Sequence, residues 1–518
     1  MEKRIVEWRC MIHDVGIKKF LAAFITFVVL ALGASCSSGE ANTQKATQNM
    51  ESPTDSTPLQ SDNESDTSVK STQETGPDVK ESEEEESDAE GEPDVQDGPR
   101  YSYGDSDYLF DQEKLHTFEL TLSDQNLAYL DSAPALEEYV PGTLTFEGET
   151  LPVGIRYKGS VGAWVGCLSG EGFLSTEGEK ECTKLSTKVK INWEDSDDTF
   201  YEVKKLQFHS QNLDPTKMHE RLGYWLFREM GVPAPRSVHA RLIINGQFNG
   251  IYALTEQIDG RFTRENFDDG TGNLYKEIWP ITNSGVPMPA EPLQNALKTN
   301  EDEDPTFDII QQFAQAVVDA DGTTRQDVLR QWMNVGQALA YMVVDRAIAN
   351  DDGVLHFYCG GNDAIEIGGG CNSHNFYWYE DPTAELIHLI PWDLDNAFDN
   401  ITGPANPVTP IKDKWGEKTN DCKPFAYGGW GLTQLSAACD PIIGTLATLE
   451  QDYQEFREAF LAGPFAKETV EGLLNTWAGQ IKDAVQEADE THNDQPSMSE
   501  WLRAIEKLKG DLEYARNQ

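Results

Sequence analysis

The sequence predicts an α+β protein in which an antiparallel sheet comes first and a helical part closes the chain. Three observations carry that prediction. Residues 116–122, 142–146 and 151–157 alternate apolar and polar side chains with period two, as half-buried strands do. Asn245-Gly246 separates two further apolar runs, 238–244 and 250–256, and that dipeptide is a strong hairpin signal. Apolar residues then fall at helical spacing through 305–349 and again in the last 70 residues, first as Val470, Leu473, Leu474, Trp477, Ile481 and Val485, then as Trp501, Leu502, Ile505, Leu508 and Leu512.

Not all of the 518 residues can join that fold. Lys18 and Lys19 precede an apolar run over 20–32, which ends in Gly33-Ala34-Ser35-Cys36. The run is shorter than the ~20 residues a membrane span needs, so residues 1–36 read as an export signal. Cys36 resembles the cysteine of a bacterial lipoprotein lipobox, with Gly33 standing where that pattern has Leu. The expectation is an exported lipoprotein at the bacterial envelope or cell surface, touching the membrane only through a lipid on Cys36, with simple secretion as the alternative. Residues 37–100 are Ser, Thr, Glu, Asp, Gln, Gly and Pro with almost no apolar content. Such a segment buries too little surface to offset its chain entropy, so it is expected to be a disordered acidic tether.

The net charge is −48, and residues 101–518 alone hold 68 acids against 32 bases. A domain so acidic is a poor candidate for binding nucleic acid, which needs clustered Lys and Arg. It suits cations, a basic protein substrate or a salty environment. Beyond Cys10 and Cys36, six cysteines remain, and sequence alone allows fifteen pairings of them. They lie as three neighbouring pairs, so the local pairings are expected: Cys167 with Cys182, Cys359 with Cys371, and Cys422 with Cys439. None has the C-x-x-C spacing of a zinc site.

Within the folded part, Arg156-Tyr157-Lys158-Gly159-Ser160 ends the third strand, and a loop carrying Cys167 and Cys182 follows. In 184–191, alternation places Lys188 and Lys190 on one face and Val189 and Ile191 on the other, as on a solvated edge strand. Asp214-Pro215 has the chemistry of a helix start, Met218, Leu222, Trp225, Leu226 and Met230 form an apolar core stripe, and Gly231 and Pro233 end it. Residues 268–273 lack the terminal glutamate of a calcium loop and read as a turn. His209, His219, His239, His356 and His388 are scattered, with no metal-ligand spacing.

Two acidic loops hold the chemistry-bearing residues. An apolar helix over 338–349 breaks at Asn350-Asp351-Asp352-Gly353, and a strand pair, 374–379 and 386–391, runs into Trp392-Asp393-Leu394-Asp395. Carboxylates beside buried elements are costly unless a cation or donor compensates them, which suggests one shared site. Taken singly, the first loop reads as a turn and the second as a strand end. Together, Asn350-x-Asp352-Gly353, His374-Asn375-Phe376-Tyr377 and Ile390-Pro391-Trp392-Asp393-Leu394-Asp395 resemble the signature segments of the CotH kinase family, spore-coat-protein-H-like atypical protein kinases. Met218-His219-Glu220-Arg221-Leu222, Gly231-Val232-Pro233-Ala234-Pro235, Ile244-Asn245-Gly246, Gly250-Ile251-Tyr252 and Glu256-Gln257-Ile258-Asp259 resemble that family in the same order.

The resemblance implies a kinase-like two-lobed fold over 101–518, with an N-lobe-like part at about 116–260, a catalytic lobe at 261–432 and a helical C-terminal part at 433–518. It implies ATP with Mg or Mn as cofactor and a protein Ser or Thr as acceptor. Asp352 would be the catalytic base, Asp393 the main metal ligand, Asn375 a second ligand and Asp395 an auxiliary one. Lys190, ahead of Lys188, would neutralise phosphates, near Arg156 and the glycine turn that stands where the family has its phosphate-covering loop. Glu220 would pair with that lysine or lie exposed in its helix's first turn. Glu256 would sit at the hinge, where an adenine would meet backbone groups. Residues 354–373 are an insertion relative to the family and leave the placement of Asp352 against Asn375 open. Two other functions compete: a surface adhesin or scaffold keeping the fold without catalysis, and, more weakly, a glycoside hydrolase using two of the carboxylates. Oligomeric state and substrate identity are not written in the chain.

Overall fold

The computed structural model describes residues 106–518 apart from 172–174, 196–197, 360–369, 403–414 and 428–431. Residues 1–36, read above as an export signal with Cys36, and residues 37–100, read as a tether, lie outside the described residues. The chain divides into two units, 1–64 and 65–518, and all that follows concerns the second.

Seven strands close a barrel: β1 (His116–Thr121), β2 (Val140–Phe146), β3 (Glu149–Tyr157), β4 (Thr187–Lys190), β5 (Lys205–His209), β6 (Ser237–Ile244) and β7 (Gln247–Thr255). Their order is β1-β2-β3-β4-β5-β7-β6, antiparallel throughout except where β6 returns parallel to β1. The alternation seen in the sequence sends Phe118, Leu144, Val153, Ile155, Val189, Leu206, Phe208 and Leu254 to one buried cluster. Closure removes free edges. β4 lies between β3 and β5, so Lys188 and Lys190 are not lysines of an edge strand. Asn245 and Gly246 both take positive φ, 49° and 75°, as the tight turn between β6 and β7 requires.

Helix α1 (His219–Glu229) follows β5. It begins four residues later than the Asp214-Pro215 signal suggests. The Asp214 carboxylate accepts from the Thr216 N–H at 2.7 Å and the His219 N–H at 2.9 Å, closing a turn. Lys217 in that turn is left-handed, φ 64°, which no helix tolerates. A three-stranded sheet follows, with β8 (Leu274–Lys276) and the antiparallel pair β11 (Phe376–Asp381) and β12 (Leu386–Pro391). A four-stranded one joins β9 (Phe357–Cys359), β10 (Cys371–Asn372), β13 (Phe425–Tyr427) and β14 (Leu432–Leu435). The helical pattern over 305–349 becomes α2 (Asp308–Asp319), α3 (Gly322–Trp332) and α4 (Val335–Ala347). The end of the chain becomes α5 (Glu450–Ala462), α6 (Lys467–Thr491) and α7 (Met498–Arg516).

All three local disulfides are present: Cys167–Cys182, Cys359–Cys371 and Cys422–Cys439. Cys359 and Cys371 stand opposite each other in the β9–β10 register, so the insertion is pinned at its base.

The C-terminal helices grip the turn before α1. Trp501 is buried and its indole N–H donates to the Thr216 carbonyl at 3.0 Å. Arg221 lies 4.4 Å from the centre of the Trp477 ring and donates to Gln480 at 2.7 Å. Trp501→Ala therefore removes a large buried ring and a hydrogen bond at once. It is expected to cost about 3–5 kcal/mol of stability, read from the midpoint of denaturant unfolding.

Candidate active site

One outward face of the barrel forms a wall of polar side chains. The register sets Arg156 on β3 opposite Lys188 on β4, Lys188 opposite Gln207 on β5, and Gln207 opposite Thr255 on β7. Two residues further along the same face come Lys158 and His209. Lys190 is displaced the other way, opposite Gly154 and Lys205. Of the two lysines foreseen on β4, Lys188 thus stands one step from the row of Lys158 and His209, and Lys190 two. Burial, with Lys205, Arg156 and Lys158 close by, drives the Lys188 pKa well down.

Glu220, near the start of α1, is buried beneath this wall. Its carboxylate meets His209 Nδ1 at 2.7 Å and accepts from the Thr255 hydroxyl at 2.9 Å. Lys158 Nζ lies 2.7 Å from His209 Nε2. An ammonium only donates, so Nε2 accepts and the ring proton sits on Nδ1, facing Glu220. Burial opposes the charge on Glu220, but His209, Thr255 and the nearby Lys158 outweigh it and hold its pKa below the ordinary value. Burial lowers the Lys158 pKa, against the pull of Asp393 and Glu220.

Two acidic loops and the turn at Asn375 face the wall. After α4 the chain turns at Ala349, φ 47°, into 350–353. There Asn350 donates to Asp345 at 2.8 Å and Asn400 to Asp351. Asp352 instead meets Asn375, whose amide donates to the Asp352 carboxylate at 2.9 Å and to its carbonyl at 3.1 Å. The insertion therefore returns the chain to the loop it left. Asn375 and Asp393 are both left-handed, φ 60° and 48°. Non-glycine residues in that region collect at functional sites, and Asn and Asp adopt it most readily. The Asp393 N–H donates to the Tyr224 hydroxyl at 2.9 Å, fixing the loop to α1. Gly223 allows the approach, since a Cβ there would lie 2.7 Å from Leu394 Cδ1.

The carboxylates crowd one another. Burial, then the Asp393 charge, pushes the Asp352 pKa up to about 7, although the Asn375 hydrogen bond works against this. Burial and the charges of Asp393, Glu220 and Asp352 raise Asp395 well above the ordinary range. Among the described residues, His209, Glu220 and Asp393 each offer a ligand atom within 4.8 Å of the others.

The structure thus brings together Lys188, Glu220, Asp352, Asn375, Asp393 and Asp395 from the residues foreseen. The buried Glu256 carboxylate is held by Arg236 at 2.7 Å and by Arg261. Arg156 is held by Glu137. His209 and Lys158 were missed as site residues. Lys158 carried a signal, because period two puts it on the Arg156 face just before Gly159. His209 carried none, because its partners Glu220 and Lys158 are set by the closure of the barrel and the docking of α1.

The family model for the CotH kinase protein matches residues 155–517, from β3 to the last helix. The chain belongs to the CotH kinase protein family. An inner spore coat protein H-like protein of Bacillus subtilis (strain 168) is 40% identical to this CotH family chain over 62 residues, 12% of this chain and 19% of that protein. The match thus spans about a fifth of that relative's length.

A pH dependence follows from the crowding. A folded-state pKa of about 7 at Asp352 means that the folded protein binds this proton more tightly than the unfolded chain does. Stability from this group is full below the unfolded value of 3.8 and is lost as pH rises through about 7. Asp395 acts in the same direction. With a chelator present, the melting temperature is expected to fall between pH near 5 and pH near 8. Asp352→Asn should flatten that fall, as read by thermal denaturation of both proteins at the two pH values.

Proposed function

We propose that the protein is an exported atypical protein kinase that moves the γ-phosphoryl group of ATP, bound with Mg or Mn, to Ser or Thr hydroxyls of a surface or envelope protein. The observation that carries this is the meeting of Asp352, Asn375 and Asp393 opposite a wall bearing Lys158, Lys188 and Arg156. Phosphoryl transfer needs both: cations for the phosphates and a carboxylate for the hydroxyl. The same opposition of a barrel wall to the acidic loops supports a two-lobed, kinase-like arrangement.

The donor set suits a hard divalent ion. Asp393, Asn375 and Asp395 offer oxygen ligands, and the raised Asp352 and Asp395 mark negative charge that the protein's own cations leave uncompensated. Such an ion would be held by Asp393 and Asn375 with help from Asp395, and would supply neutralisation of phosphate oxygens. Asp352 has a pKa near the working pH, as a general base requires. It takes the proton of the acceptor hydroxyl as the oxygen bonds to the γ-phosphorus and the bridge to the β-phosphate breaks. Asn375 fixes one of its oxygens and so orients the other. Lys158, oriented by His209 and through it by Glu220, and Lys188 face the phosphates. Lys158 takes the role that the sequence gave to a lysine on β4.

Export rests on the sequence of residues 1–36, and the three disulfides suit an oxidising compartment. A lipid on Cys36 would then tie the domain to a membrane through the acidic tether.

Calorimetry with ATP and Mg or Mn tests the proposal. Asp393→Asn should abolish metal-dependent binding, and Lys158→Ala should weaken it. Asp352→Asn should leave binding largely intact and lower turnover by about 10²- to 10⁴-fold, measured by labelled-ATP transfer to surface proteins. No heat of binding in the wild type would sink the kinase assignment and leave a scaffold that keeps the fold.

A further inference from the structure

We propose that Glu137 is a resident anion in the phosphate-binding part of the cleft, and that a polyphosphate reaches Gly159 and Arg156 only by displacing it. This rests on the function proposed above and adds a regulation of the same site. Glu137 follows a short 3₁₀ turn, Pro134–Leu136, and itself has φ 54°. It lies upstream of the residues that the family model matches.

Its carboxylate accepts from the Gly159 N–H at 2.6 Å and from the Arg156 guanidinium. Its carbonyl accepts from the same guanidinium at 3.0 Å. A glycine N–H beside a guanidinium is the donor pair that recognises a phosphate oxygen. Gly159 is bare backbone by necessity, because a Cβ there would lie 2.3 Å from Ala163 Cβ. Arg156 also keeps its buried Nε without a hydrogen-bond partner, a donor that Glu137 leaves unused and a larger anion would meet. Lys188 stands opposite Arg156 on the same face, with Lys158 two residues from Arg156 on β3. Glu137 is thus an acid that acts on all three of these cations, Arg156 by direct contact and Lys158 and Lys188 through its charge.

Displacement needs little. The Glu137 side chain is 30% exposed, so a rotamer change frees its carboxylate without moving a strand. An anion that must first expel a resident carboxylate binds with an affinity reduced by the fraction of molecules in which the site is open.

The test uses the full chain with Glu137→Gln, which keeps the shape and an acceptor oxygen but removes the charge. Tripolyphosphate and Mg·ATP are titrated into both proteins by calorimetry, and the Gly159 amide is followed by NMR. The expected result is binding of both ligands about 5- to 10-fold tighter in the variant, with the Gly159 resonance shifting on tripolyphosphate addition in both proteins. Equal or weaker binding by a variant that melts cooperatively would show Glu137 to be a fixed strut and overturn the proposal. So would an unmoved Gly159 resonance, or no uptake of tripolyphosphate by either protein. If the variant gains for tripolyphosphate while Mg·ATP binds no better than tripolyphosphate, the displacement stands and the nucleotide assignment falls.

Discussion

Buried carboxylates that share one cleft impose the constraint on which the rest of this structure turns. Glu220, Asp352, Asp393 and Asp395 lie close enough for each charge to act on its neighbours. A carboxylate removed from water keeps its charge only with hydrogen bonds or a cation. Glu220 has both, from His209, Thr255 and Lys158, and its pKa stays low. Asp352 and Asp395 have too little of either, and theirs rise. The cleft therefore has one half balanced by the protein and one half left in want of positive charge.

A single helix holds these halves in place. Along α1, Glu220 reaches the barrel wall, Gly223 admits Leu394, Tyr224 takes the Asp393 N–H, and Arg221 stacks on Trp477 of α6. Barrel, Asp393 loop and C-terminal helices thus meet through four residues, Glu220, Arg221, Gly223 and Tyr224, within little more than one turn of one element. Trp392 seals the joint, with its ring 5.8 Å from that of His209 and 5.4 Å from Lys158 Nζ. A helix so committed on all sides has few ways to shift, which is what positioning of a reacting carboxylate requires.

The elements were legible in the sequence because each is a local property. Alternation gave β1 to β4, Asn245-Gly246 gave the hairpin, and helical spacing gave α2 to α7. Neighbouring cysteines gave the disulfides for the same reason. The acidic loops were legible through motif resemblance, and Asp352, Asn375 and Asp393 do converge. What stayed hidden depends on contacts far apart in the chain. β4 gains its second neighbour only by pairing with β5, and barrel closure follows from β6 meeting β1 across more than a hundred residues. The partner of Glu220 followed from how α1 docks, and that choice fell to His209 and Lys158 rather than to a β4 lysine. The late start of α1 depended on one left-handed lysine, a conformation that composition does not announce.

The charge of the domain and the charge of the cleft work on different scales. Residues 101–518 carry a large excess of acid, yet at physiological salt a charge is screened beyond about 8 Å. What an anion feels inside the cleft is set by Arg156, Lys158 and Lys188, with Glu137 and Glu220 against them. What a protein feels on approach is set by the acidic exterior, which favours a basic surface. On the kinase assignment these are two separate tasks. The wall takes the phosphates, the acidic loops take the cation that accompanies them, and the outer field selects the protein that brings the hydroxyl. On that same assignment such a domain would admit a short polyanion through Arg156, Lys158 and Lys188 despite its net charge, because the exterior acid is screened over the distance to the cleft.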